Sequence, residues 1–121
     1  MNMSELQITA PNEKDLHKMC KSLKKDTVFT DAVKVAQALT EYSKKMLSTH
    51  ELNKVLDCMR LIGKVYDHGG RFVKSAIESV SIFSFSNMQS LCNKLEWNII
   101  RAKMPVSLYT LYTKQLYSRG I

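Results

Sequence analysis

The sequence has few of the residues that make tight turns: only four of its 121 residues are glycine and only two are proline. β-Sandwiches and β-barrels need many such turns, so this scarcity argues against an all-β fold. The sequence also has no apolar run near the ~20 residues that cross a membrane. Its first residues lack the basic start and apolar stretch of a secretion signal. We therefore expect a cytoplasmic protein that makes no use of a membrane.

Cysteine is also scarce, and the spacing of the three cysteines argues against a metal site. The three cysteines, Cys20, Cys58 and Cys92, are odd in number and far apart, and no Cys-x-x-Cys pair occurs. Zinc sites are built from such close pairs, whereas an isolated cysteine behaves as a small apolar residue. We predict three reduced cysteines beside apolar residues, no disulfide and no metal.

Motifs that carry catalytic chemistry are missing as well. The histidines His17, His50 and His68 form no His-x-x-x-His pair, and Asp67 beside His68 has no nucleophile in a recognised turn near it. A phosphate-binding loop would need a longer glycine pattern than Gly69-Gly70 alone. Most acidic residues have a basic residue within one helical turn, which is typical of ordinary surface pairs. We predict that the protein is not an enzyme and uses no cofactor.

What the sequence does have is apolar residues at helical spacing, beginning just after Pro11. Leu16, Met19, Cys20 and Leu23 lie on one side of a first helix, for which Asn12 is the expected N-cap. At ~100° per residue, four lysines fall on the opposite side of that helix. These lysines are Lys14, Lys18, Lys21 and Lys25.

Five further segments show the same spacing. We expect a second helix to begin at Thr30 or Asp31, and a capping box over residues 48–51 to begin a third. The third helix is expected to stop at Gly69-Gly70, because glycine readily takes the left-handed conformation beyond a helix end. The apolar faces are Ala32, Val35, Ala36, Leu39, Tyr42 and Met46; Leu52, Val55, Leu56, Met59, Ile62 and Tyr66; Phe72, Val73, Ala76, Ile77, Val80 and Phe83; Met88, Leu91, Cys92, Leu95 and Ile99; and Leu108, Leu111, Tyr112 and Leu116.

Residues 80–85 alternate apolar and polar side chains and could also be a strand, but a single strand would have no partner, so we assign them to a helix. Ser86 and Gln89 are expected to cap the fifth helix, and Pro105 suits the first position of the sixth. The predicted fold is all-α: a flexible leader at residues 1–11, then a single compact domain over residues 12–121. Its five to six antiparallel helices would form a bundle or a short stack of helical hairpins.

The net charge of +7 is concentrated near the two ends of the chain. Residues 80–121 contain five basic side chains and one acidic side chain, and their aromatic residues include Trp97 close to Arg101. Tryptophan and arginine are frequent anchors of protein interfaces, while lysines and tyrosines also serve in nucleic-acid binding. The candidate partner-binding residues are therefore Lys14, Lys18, Lys21, Lys25, Trp97 and Arg101.

Two stretches resemble a group of small all-helical bacterial proteins. In residues 64–80, running on to 83–86, a helix ends at a glycine turn and is followed by a helix of the type Val-Lys-Asn-Ala-Ile-Glu-Asn, with Ser75 and Ser79 in place of the asparagines. Residues 104–116 are similar to the closing helix of that group. Members of this group are largely uncharacterised, and several look like immunity proteins, which bind and block a toxin. The resemblance supplies no catalytic residues.

These features are consistent with two functions. The first is an immunity-type binding protein that blocks a toxin with an acidic surface through its basic helical face. The alternative is a small helical nucleic-acid-binding subunit of a larger complex, using the same lysines together with Tyr109, Tyr112 and Tyr117. A structural role in a bacteriophage or another large assembly also stays open.

Overall fold

Residues 12–118 are described by the structure, a computed structural model in which this part of the chain forms six helices and no strand. The all-α prediction is therefore confirmed, while the predicted leader at residues 1–11 lies outside the described residues. The helices are α1 (Glu13–Lys21), α2 (Phe29–Ser48), α3 (Leu52–His68), α4 (residues 71–88), α5 (Lys94–Lys103) and α6 (Val106–Ser118).

Helix α2 is the centre of the domain, and it packs against α1, α3 and α4. Its predicted apolar face is buried, and so are Ala38 and Leu47 beside that face. The helix begins slightly earlier than predicted, because the carbonyl of Val28 already accepts the N–H of Ala32 at 3.1 Å. Burial on several sides is expected for a helix that has neighbours on several sides.

The capping box predicted before α3 does not form. Ser48 is the last residue of α2, and its hydroxyl donates back to the carbonyl of Lys45 at 2.8 Å. The chain reverses at His50, which has a left-handed φ of 61°, and α3 begins after Glu51 without a side-chain cap. The prediction was wrong because the serine hydroxyl satisfies the end of the preceding helix and not the start of the next one.

Helix α4 runs through the residues that also read as a strand, so their assignment to a helix is confirmed. It contains one π-helical segment, Ile77–Ile82, between the α-helical segments Arg71–Ala76 and Phe83–Met88. Within the π segment the buried Ser81 lies 2.9 Å from the Thr40 hydroxyl of α2, oxygen to oxygen. Because Thr40 already donates to the carbonyl of Ala36, Ser81 is the donor of this bond.

The predicted boundaries of the fifth helix were wrong. Helix α4 extends to Met88, a short 3₁₀ turn follows at Gln89–Leu91, and α5 begins only after Asn93. The side chain of Asn93 accepts from the N–H of Glu96 while Glu96 accepts from the N–H of Asn93, which is a complete capping box. As a result Leu95, which was predicted to face the core, is 69% exposed.

Helix α6 closes the domain much as predicted. Leu108 and Tyr112 are buried, and Leu111 and Leu116 are half-buried against the core. Pro105 lies one position earlier than expected, directly before the helix, where its carbonyl accepts the N–H of Tyr109 at 2.9 Å. Over residues 12–118, no helix combines the length and apolar character that crossing a membrane requires.

Candidate cationic groove

A groove lies between α1, the loop that follows it and the C-terminal half of α3. Its volume is about 400 Å³. Its apolar floor is formed by Leu23, Leu61 and Val65, together with Cys20, and basic side chains stand around that floor. The residues that line the groove are His17, Cys20, Lys21, Leu23, Lys24, Lys25, Leu61, Lys64, Val65, His68 and Gly69.

Helix α1 is held in place by one deeply buried residue. Leu16 is only 1% exposed, and Met19 and Cys20 are half-buried next to it. The predicted N-cap is confirmed, because Asn12 Oδ1 accepts the N–H of Asp15 at 2.9 Å. With Leu16 directed into the core, the lysine side of the helix lies outward, as its amphipathic pattern predicts.

The four predicted lysines are all exposed, but the structure divides them into two pairs. Lys21 and Lys25 line the groove, whereas Lys14 and Lys18 lie elsewhere on the exposed side of α1. Lys25 is not on the helix at all, because α1 ends at Lys21, where Ser22 forms the C-cap. The sequence pattern therefore identified the basic character of this region, but not how the lysines are grouped.

Two further groove lysines, Lys24 and Lys64, were missed by the sequence analysis. A signal for the second existed in α3, because Leu61 and Val65 lie off the main apolar stripe of that helix. Apolar residues outside the main stripe indicate a second contact surface, which here faces α1. Lys64 lies one helical turn after Leu61 on that flank, where it lines the groove.

The glycines at the end of α3 have a different role from the predicted one. Neither Gly69 nor Gly70 is left-handed: their φ angles are −80° and −78°. Instead, a methyl group added at Gly70 would collide with the backbone carbonyl of Lys25, and one added at Gly69 would meet Val73 Cγ1 at 2.5 Å. Glycine is needed because the groove loop and the start of α4 approach the chain so closely here.

The charge of the groove is unbalanced. Lys21, Lys24, Lys25 and Lys64 form no ion pair with any acid in residues 12–118, and no acidic side chain is among the groove-lining residues. Asp26 and Asp67 are sequence neighbours of the groove but are exposed and do not line it. Four unpaired lysines around one apolar floor create a local positive potential that attracts an anionic group.

Three basic side chains outside the groove have acidic partners. In residues 12–118, Lys44, Lys54 and Arg60 each form an ion pair with an acid one helical turn away on the same helix or its cap. Glu78 and Lys74, although one helical turn apart, form no ion pair with each other. Glu78 instead accepts a hydrogen bond from the hydroxyl of Tyr66 at 3.1 Å, and the Lys74 ammonium lies 5.2 Å from the centre of the Tyr66 ring.

A thiol and two imidazoles line the same groove. Burial raises the pKa of the Cys20 thiol to about 11. At neutral pH this thiol therefore stays protonated, whereas catalytic cysteines have a pKa lowered by neighbouring positive charge or a helix N-terminus. No group of three His, Cys, Asp or Glu side chains within residues 12–118 is arranged to hold a metal ion.

Of the two residues proposed for a second partner-binding surface, Trp97 and Arg101, only Arg101 is exposed. Trp97 is only 6% exposed, and its ring packs edge-on against Tyr112 at a centroid distance of 6.0 Å. It is a core residue and is not available to a partner. Arg101 is exposed and donates to Asn98 Oδ1 at 2.8 Å.

A second pocket, of about 450 Å³, lies beside Arg101 between α5 and α6. It is lined by Asn98, Arg101, Ala102, Met104, Val106 and Tyr109. Tyr109 is partly exposed and Val106 is 82% exposed. Of the other tyrosines considered for base stacking, Tyr117 is exposed and Tyr112 is buried.

Comparison with known proteins gives one match. A family model described as "Domain of unknown function (DUF7674)" matches residues 10–118, which is nearly the whole chain. No curated protein matches the chain. No solved structure matches it either.

Proposed function

Since the chain belongs to this family of unknown function, we propose from its geometry that it is a binding protein, not an enzyme, that captures an acidic partner protein on the cationic groove. One observation carries the proposal: four lysines without acidic partners in residues 12–118 surround a single apolar floor. These lysines are Lys21, Lys24, Lys25 and Lys64. Lys14 and Lys18 extend the positive surface along α1.

Electrostatics supports an acidic partner. The chain has a net charge of +7, and a positive patch of this kind speeds the encounter with a negative surface and selects against positive ones. Exposed lysines that already have an acidic neighbour gain little from a second one. The groove lysines have no acidic partner among residues 12–118, so an incoming carboxylate supplies an ion pair that this part of the fold does not.

Binding is favoured over catalysis by the character of the groove. Although His17 and His68 line it beside Cys20, burial raises the pKa of the thiol and so lowers the fraction of thiolate that could attack a substrate at neutral pH. The apolar floor suits a contact surface, which excludes water around the charged contacts.

The resemblance of residues 64–80 and 83–86, and of residues 104–116, to immunity-type proteins supports one class of partner. On that basis we propose that the partner is a toxin, which the protein inhibits by covering its active site or by holding it inactive. The three free thiols fit a reducing compartment, so we place this activity in the cytoplasm of a bacterium.

Co-expression tests the proposal. Each neighbouring open reading frame is expressed alone and together with this protein, and we expect one frame that is toxic alone and tolerated together. In the rescued pair, the quadruple variant Lys21→Glu, Lys24→Glu, Lys25→Glu and Lys64→Glu should abolish rescue, because it turns the attraction into repulsion.

The matched control reverses four exposed basic residues outside the groove, Lys34, Lys45, Arg60 and Lys94, and so produces the same change in net charge. This control should retain rescue. If both quadruple variants rescue equally well, the groove is not the binding surface. If no neighbouring frame is toxic alone and rescued together, the toxin-blocking proposal fails.

A second candidate function is nucleic-acid binding, and the pocket between α5 and α6 is the observation that favours it. There the guanidinium of Arg101 and the exposed ring of Tyr109 line one space, as in surfaces on which bases stack. Retention of single- and double-stranded oligonucleotides is the test. No retention at ~50 mM salt would exclude this function, because phosphate contacts are strongest at low salt.

A further inference from the structure

The apolar floor of the cationic groove indicates which chemical groups of a partner would fit there. Leu23, Leu61 and Val65 are each half-buried, so they are packed on one side and open to the groove on the other. A volume of about 400 Å³ is at the lower end of ligand pockets and suits one or two large side chains, not a whole folded surface. Because this apolar floor is exposed to water, covering it with a partner's apolar side chain is favourable and strengthens binding.

The lysines surround this floor from two different elements. Lys21, Lys24 and Lys25 come from α1 and the loop after it, and Lys64 comes from α3. A ligand in the groove is therefore flanked by positive charge on both sides. Covering the floor also removes water, which strengthens each contact between a lysine and a carboxylate at the rim.

From this arrangement we propose that the groove recognises an acidic peptide segment in which a large apolar side chain lies between carboxylates. The apolar side chain rests on Leu23, Leu61 and Val65, and the carboxylates on either side pair with the lysines of α1 and α3. This inference rests on the proposed function and adds the partner's local chemistry to it. Nucleic acid fits the groove less well, because the lining residues include no Phe, Tyr or Trp ring, which are the larger platforms for base stacking, and their two imidazoles offer only small rings.

The test uses two fluorescein-labelled peptides of equal charge, DEDFLEDE and DEDGSEDE, with binding followed by fluorescence anisotropy at ~50 mM salt. The first peptide offers apolar side chains between carboxylates, and the second offers the same carboxylates without them. We expect the first peptide to bind about tenfold more tightly or better, since a buried large apolar side chain contributes at least that factor. This comparison needs only the unmodified protein.

Matched variants then locate the site. Leu61→Ala should weaken the first peptide about tenfold and leave the second unchanged, whereas Leu52→Ala, at the other end of α3, should change neither. Lys64→Gln should weaken both peptides, whereas Arg60→Gln, the same charge change outside the groove, should not. Leu23→Ala repeats the floor test from the α1 side if Leu61→Ala does not fold.

The outcomes separate this inference from the proposed function. Equal binding of both peptides, weakened by Lys64→Gln but not by Leu61→Ala, would mean that the groove reads charge alone. The inference would then be wrong and the proposed function would stand. Absence of binding by either peptide, or tighter binding of a thymidine oligonucleotide than of both, would also overturn the inference. Rescue in co-expression decides the proposed function independently of these peptides.

Discussion

The two ends of α3 contrast in how they treat charge. At the first end, Glu51 accepts from Thr49 and pairs with Lys54, and the preceding His50 pairs with Glu96 of α5 at 2.9 Å. At the last end, the groove lysines have no acid to pair with in residues 12–118, and the chain passes so close to its neighbours at Gly69 and Gly70 that a side chain there would collide with them. Within residues 12–118, the first end therefore pairs its charged groups inside the fold, whereas the last end leaves four lysines without an acidic partner.

The largest loss of stability and of groove binding is expected when the buried residue that anchors α1 is truncated. Leu16→Ala deletes the buried residue that holds the helix against α2 and α3, and such deletions cost about 2–5 kcal/mol of unfolding free energy. Urea unfolding measures the loss, and peptide binding should weaken with it because α1 forms one wall of the groove. Leu95→Ala, at a position that is largely exposed, is the control and should change stability little. A stable Leu16→Ala protein would show that α1 is not anchored as described.

A smaller effect is expected from filling the tight contact at the last end of α3. Gly70→Ala places a methyl group against the Lys25 carbonyl, and overpacking of this kind costs about 1–3 kcal/mol. It should also displace Lys25 and lower affinity for an acidic peptide. The thermal midpoint and the peptide titration measure the two effects. Unchanged stability and affinity would mean that the loop moves aside without consequence.

The smallest predicted change in stability is at the first end of α3, and it depends on pH. The backbone N–H of Asn93, followed by the hydrogen bond to His50, lowers the pKa of Glu96 below its ordinary value of 4.5. A lowered pKa in the folded protein means that this carboxylate adds stability above pH ~4.5, and that the added stability is lost as the pH falls through the folded pKa.

We therefore expect Glu96→Gln to be less stable than the unmodified protein at pH 7, with the difference shrinking as the pH falls through the lowered pKa of Glu96. Urea midpoints between pH 3 and pH 7 measure the difference. The matched variant Lys64→Gln should show no such acid-dependent change, because it removes no carboxylate. A constant difference at every pH would show that Glu96 acts through packing and not through its charge.

The helices themselves were largely predictable, because a residue's place on a helix depends on neighbours three and four positions away. The pattern of α1 correctly gave its cap, its buried side and its exposed lysines. Boundaries were predicted less well. Ser48 could serve either of two adjacent helices, and the choice depends on how tightly the chain turns at His50. At α5, the complete capping box of Asn93 and Glu96 was overlooked.

The candidate site was predictable only in part. Lys21 and Lys25 were identified from their spacing, but Lys64 joins them only because α1 packs across the end of α3. Trp97 was named as a candidate partner-binding residue because tryptophan and arginine are frequent interface anchors, yet its ring packs beside Tyr112 in the core. Neither contact could be predicted from local spacing, because both join residues that are distant in the chain.

The sequence by itself therefore determined the all-α class, the amphipathic character of α1 and the excess of positive charge, since each of these depends on composition or on spacing within one helix. Tertiary structure alone decided which lysines keep no acidic partner among the described residues and that an apolar floor lies between them. The physical reason is that ion pairing and burial depend on distances between elements, and those distances exist only once α1, α3 and the loop at Lys25 have packed together.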